Sequence, residues 1–158
     1  MASTYDQKIR RGADQFLEDG EQVLATLVVR PRGWTQAGSG AAGPGSIASS
    51  IGARKQARNY EAADRSGFRI TSPMALVVTD RRLLSLKIGS PIGLGIGGAV
   101  KELIDAAPLT DVDGIEVKRL AVGKTLTVTV RGTPFVLETG AGGDAKGVAA
   151  AVERAKAG

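Results

Sequence analysis

Between Thr125 and Val130 the chain reads TLTVTV, and few stretches constrain a fold more tightly. Leu126, Val128 and Val130 alternate with Thr125, Thr127 and Thr129, the period-two pattern of a strand with one buried face. A helix of 3.6 residues per turn would scatter these apolar side chains around its circumference. Ile115 and Val117 alternate with Glu116 and Lys118 in the same way. MALVVT (Met74–Thr79) and RLLSLKI (Arg82–Ile88) flank turn residues around Asp80-Arg81 and predict a hairpin. Arg131-Gly132-Thr133 then turns the chain into PFVLET. GGDAKGVAAAVERAKAG predicts a closing helix, with Asp144 as its cap and Val148, Ala151, Val152 and Ala155 as its apolar stripe. Strands in succession closed by one helix argue against βαβ repeats.

The first half is less regular. STYDQKIRRGADQFLEDG predicts a helix capped by Ser3 or Thr4 and ended by Gly20, with Tyr5, Ile9, Ala13, Phe16 and Leu17 on one face as a docking stripe. Gln22 to Val29 is a β-type run that stops at Pro31, which cannot donate a ladder hydrogen bond. Gly33 to Ser72 breaks the pattern. GWTQAGSGAAGPGS reads as a flexible linker. IASSIGARKQARNYEAADRSG follows with better helix formers, and Arg54, Lys55, Arg58, Arg65 and Arg69 face only Glu61 and Asp64. A connection of about 40 residues exceeds an ordinary loop, so it is functional, disordered or partly helical. The expected organisation is an N-terminal helical extension at 1–20 and one domain at 21–158 carrying an insertion at 33–72.

The residue inventory removes much chemistry. Among 158 residues there is no histidine and no cysteine. Disulfides, thiolate or imidazole metal sites and histidine-based triads are excluded. Catalysis would fall to carboxylates, such as Asp111 and Asp113 beside Lys118, which fit a turn and an outward strand face better. The expectation is no enzyme, no cofactor, no metal and no small-molecule substrate. A formal charge of +5 favours an acidic partner: a phosphate, an anionic membrane surface or nucleic acid. Nucleic acid is disfavoured because only Tyr60 and Phe68 lie near the basic run as stacking platforms. The polar N-terminus shows no signal peptide, and no run reaches the roughly 20 apolar residues that cross a bilayer. A cytoplasmic protein, at most peripheral at the membrane, is expected.

Two glycine motifs fail on context. In GSPIGLGIGG (Gly89–Gly98) the last six residues match G-x-G-x-x-G, but the preceding strand fades at Ile88. Asp113, at the spacing of the ribose ligand, precedes a strand instead of closing one. Gly123-Lys124-Thr125 resembles the end of a P-loop, yet it opens a strand instead of a helix. The glycine run is expected to cross from one sheet to the other, with Val100–Ile104 as a short helical turn. Its Ile92, Leu94 and Ile96 are candidates for an apolar tip that meets a membrane or a partner.

MALVVTDRRLLSL, followed by APLTDVDGIEVKR and LTVTVRGTPFVLET, resembles the pleckstrin-homology-like domains of bacteria, related to GRAM domains. The match covers Glu21–Arg30 and about Met74–Ala157, through the order of loose motifs. The resemblance implies a mainly β fold with helices: two nearly orthogonal antiparallel sheets of about seven strands, plugged at one open end by the C-terminal helix. The long insertion and the added N-terminal helix depart from it. It further implies that the loop after the first strand can hold anionic headgroups through Lys and Arg. Arg30, Arg32 and Arg69 would stand at that loop's mouth, and Arg54, Lys55 and Arg58 within it, contacting an anionic membrane surface or an acidic protein partner. A protein–protein or self-assembly scaffold, including a homo-oligomer, is the alternative.

Overall fold

A computed structural model describes residues 4–31, 47–71, 73–89, 100–120, 123–140 and 144–157. Helix α1 (Thr4–Ala13) runs into a 3-10 turn at Asp14–Phe16 and precedes strand β1 (Val23–Pro31). Helix α2 (Ile47–Ser66) lies between β1 and a hairpin of β2 (Met74–Thr79) and β3 (Arg82–Ile88). Strand β4 (Val100–Pro108), a 3-10 turn at Leu109–Asp111, β5 (Val112–Arg119), β6 (Lys124–Val130), β7 (Thr133–Thr139) and helix α3 (Ala145–Ala157) complete the order. Every ladder is antiparallel, and the strands run β4-β3-β2-β1-β7-β6-β5. Strand β1 joins the two halves. Val23 to Val29 pair with β2, while Arg30 and Pro31 pair with Glu138 and Leu137 of β7.

The inner faces close on one core. Leu27 and Val29 of β1, Leu76 and Val78 of β2, and Leu126, Val128 and Val130 of β6 bury there with Phe135 and Leu137 of β7. Helix α3 adds Ala145, Val148, Ala151 and Val152 at helical spacing, and the Asp144 carboxylate caps it by accepting the Gly147 N–H at 2.9 Å. The alternation in β5 and β6 therefore marks one inward and one outward face. In β2 all six residues are buried. The reason is α1, whose Ile9 and Ala13 cover Ala75, Val77, Leu84, Leu86 and Ile88 on the outer side. Gly12 permits the approach, since a Cβ there would stand 2.6 Å from Val100.

Helix α2 is an integral part of this body. It presents Asn59, Ala62, Ala63 and Ser66 to the interior at i, i+3, i+4 and i+7. Gly67 ends it at φ +79, with Phe68 N–H donating to Ala63 O and Gly67 N–H to Asp64 O. That paired arrangement is the Schellman stop, and it throws the following residue inward. Phe68 is fully buried and stacks on Phe135 with ring centroids 6.0 Å apart. Burying such a ring stabilises by roughly 1.5–3 kcal/mol.

Strand β4 corrects two expectations. Val100–Ile104 is strand instead of a helical turn, and it pairs with β3 through Leu86↔Leu103 and Lys87↔Glu102. The chain therefore stays in the same sheet after β3 and passes to the other half only at the Leu109–Asp111 turn. Register shifts interrupt the β3–β4 ladder twice. A bulge breaks period-two alternation, so Val100, Leu103 and Ile104 mimic the spacing of a helical stripe.

Candidate functional site

The basic run lies at the middle of α2. Its inward stripe from Asn59 to Ser66 fixes the rotation of the helix, which leaves Arg54 and Arg58 exposed one turn apart and Lys55 half-buried between them. Asn59 sets the depth of docking. Its Oδ1 accepts the Val136 N–H of β7 at 2.7 Å, and its Nδ2 donates to Lys55 O at 2.9 Å. Beyond Arg58 the exposed residues Glu61, Asp64 and Arg65 mix both signs, whereas Arg54, Lys55 and Arg58 are all basic.

The other candidate cations stand elsewhere. Arg30 sits opposite Glu138 in the β1–β7 ladder. Arg69 lies past the end of α2 and clasps β4: its N–H donates to Asp105 Oδ2 at 3.0 Å and its guanidinium to Ile104 O at 2.9 Å. Arg32, Ile92, Leu94 and Ile96 lie outside the described residues. Tyr60 is half-buried, and burial pushes its hydroxyl above the usual value. Phe68, in the core, offers no open stacking face.

Asp111 and Asp113, considered above as catalytic carboxylates, hold a turn. Arg131 occupies a left-handed conformation (φ 49) in the β6–β7 hairpin. Its guanidinium donates to Asp111 Oδ2 at 3.1 Å and to Ser66 O at 2.9 Å, and Gly132 N–H donates to Asp113 Oδ2 at 2.7 Å. One arginine thus ties the end of α2 to the turn before β5. Among the described residues no three carboxylates converge to hold a metal ion, and none of the helices there is long and apolar enough to cross a membrane.

A second ionic cluster escaped the sequence reading. Glu21 accepts Arg82 Nη2 at 2.6 Å and Nε at 3.0 Å, Thr79 Oγ1 at 2.6 Å and Glu18 N–H at 2.9 Å. The Arg82 hydrogen bonds are the largest influence that pulls its carboxyl from 4.5 to about 2, against the opposing effect of burial. Arg82 is pushed up from its already high value, first by its hydrogen bond to Glu21. Thr79 Oγ1 also accepts the Arg81 and Arg82 N–H groups, and Asp80 Oδ1 accepts the Gln22 N–H. The TDRR turn is thereby a clasp between the hairpin and the start of β1. Its partners lie about 60 residues apart in sequence, too far for any local signal beyond a charged residue beside a strand end.

Among the described residues, seven antiparallel strands in two halves that share β1, with three covering helices, define a mainly β protein. No family model matches the chain, and no curated protein matches it. It is similar to two solved bacterial structures. One is a DUF1696 family protein with a pleckstrin-homology domain from Shewanella loihica PV-4, at 14% identity over 94% of this chain and 93% of that chain, with a TM-score of 0.45. The other is a pleckstrin homology domain from Shewanella amazonensis SB2B, at 14% identity over 96% and 97%, with a TM-score of 0.48.

Proposed function

We propose that the chain is a non-catalytic binding module of pleckstrin-homology-like type that docks on an anionic membrane surface through Arg54, Lys55 and Arg58. One observation carries this reading: Asn59, Ala62, Ala63 and Ser66 of α2 are buried in the core while Arg54 and Arg58 stand exposed on the same helix. The cations are therefore presented by a rigid element. Residues 59–70 lie against β7 and the core, which supports a surface patch instead of a pocket enclosing one headgroup. Each cation near an anionic leaflet contributes about 1 kcal/mol, so three give weak, reversible attachment. Screening over a Debye length of about 8–10 Å makes it salt-sensitive. Such a module acts as a peripheral cytoplasmic protein.

Co-sedimentation with phosphatidylcholine vesicles, with and without phosphatidylglycerol, tests this. Binding is expected only with the anionic lipid at low salt, and R54E/K55E/R58E should abolish it. Equal sedimentation with both vesicle types, or anionic binding that the triple variant keeps, would refute the reading.

A further inference from the structure

The strand order leaves β4 and β5 at the two ends, and the two edges are treated differently. Strand β4 is blunted by two bulges, by the Arg69 clasp on Ile104 and Asp105 and by the close approach of Gly12 to Val100. Such devices prevent a sheet edge from recruiting another strand. Strand β5 has one bulge, at its start between Val112 and Gly114. There Lys156 Nζ donates to the carbonyls of Val112 at 2.6 Å and Asp113 at 3.2 Å. From Gly114 to Arg119 the register with β6 is unbroken.

Leu120 N–H donates to Gly123 O at 3.0 Å. Backbone groups alternate in direction along an antiparallel strand, so Gly114, Glu116 and Lys118 turn theirs toward β6. The N–H and C=O groups of Ile115, Val117 and Arg119 then face away from it, and among the described residues no strand lies on that side.

We infer that this edge pairs with β5 of a second copy, antiparallel, about a two-fold axis through Val117. Three features select that partner and register. Residues opposite each other in a ladder point to the same face, so a two-fold axis normal to the sheet must pass through a residue. An axis at Glu116 or Lys118 sets like charges directly opposite, which is unfavourable. At Val117 each Glu116 faces a Lys118, twice over. The same register sets Leu120 opposite Gly114. Leu120 is the one large hydrophobic among the described residues that is exposed, at 40%. Gly114 has no side chain and borders an open hollow of about 310 Å³ lined also by Asp113, Ile115, Glu116, Thr127, Thr129 and Glu153. Each copy thus sets an apolar side chain opposite a position that carries none. The ladder would use both backbone groups of Ile115, Val117 and Arg119 on each chain.

Light scattering across a dilution series, with the charge variants, tests the pairing. Wild type is expected to rise toward twice the 16.2 kDa of one chain. E116K or K118E alone should weaken the dimer about tenfold, as two attractive pairs become repulsive. The double variant E116K/K118E should restore it, and so should mixing the two single variants, since each then supplies the charges the other lacks. Both side chains are exposed, so circular dichroism should be unchanged. In the dimer the amides of Ile115, Val117 and Arg119 should exchange slowly. A wild type that stays at one chain's mass at every concentration overturns the inference, as does a dimer indifferent to the single variants. Failure of the mixture to restore association overturns the register.

Discussion

Glu21 has no exposed side-chain surface, yet four donors on its two oxygens keep it ionised. A buried carboxylate of this kind ties stability to pH. Its folded pKa of about 2 lies below the ordinary 4.5, so its contribution is complete above 4.5 and is lost as pH falls from there toward 2. The difference corresponds to about 3 kcal/mol at neutral pH, at 1.36 kcal/mol per unit. Replacing Glu21 by Gln leaves the Arg82 guanidinium, itself mostly buried, with only the exposed Glu18 carboxylate, 3.7 Å away, as counter-charge. We expect E21Q to be less stable than wild type by about 3 kcal/mol at neutral pH in urea unfolding. The gap should close progressively below about pH 4, because acid protonates the wild-type carboxylate and erases the same pair. A gap that stays constant down to about pH 2.5 would mean that Glu21 is not the titrating group.

At the scale of elements, the legible ones were those whose pattern has a single cause. Strand β6 alternates because one face meets the core and the other meets water, and TLTVTV says so directly. MALVVT also reads correctly as a strand, and its lack of alternation has a cause: α1 covers the outer face as the core covers the inner one. Strand β4 was illegible because bulges against β3 moved its apolar residues into helical spacing, so tertiary pairing overrode the local pattern. For α2 the composition indicated helix formers, but nothing local marked Asn59 as its docking point. Among the described residues β1 pairs with β7 at Arg30 and Pro31. The Val136 N–H donates to the Asn59 carboxamide, a partner 77 residues away in sequence. Asn59→Ala removes that acceptor and leaves a part-buried amide donor unsatisfied, at a cost of about 1–3 kcal/mol. Hydrogen exchange at Val136 should quicken more than at Phe135 or Leu137. A uniform change along β7 would mean that the helix merely shields the strand.

For the molecule as a whole, the question is whether residues 33–72 decorate the domain or complete it. Composition leaves the segment functional, disordered or partly helical, since it begins with a Gly/Ala/Ser run and continues with helix formers and surplus charge. The C-terminal part of the segment belongs to the core. Ala62, Ala63, Phe68 and Ile70 join the cluster formed by β1, β2, β6, β7 and α3, and Ser66 O receives the arginine that braces the β6–β7 turn. The same anchoring gives the basic face of α2 its fixed orientation, so stability and proposed function share one element. Replacing residues 33–71 with a short turn would remove Phe68 and Ile70, each supplying roughly 1.5–3 kcal/mol through burial. It would also uncover Phe135 and free the Val136 amide. Against a typical domain stability of about 5–15 kcal/mol, those losses consume most of the margin. We expect such a chain to lose its cooperative thermal transition and to bind a hydrophobic dye. The charge variant R54E/K55E/R58E, which leaves the inward stripe from Asn59 to Ser66 intact, should melt close to wild type. A trimmed chain that melts sharply near the wild-type temperature would return the whole segment to the status of an appended loop.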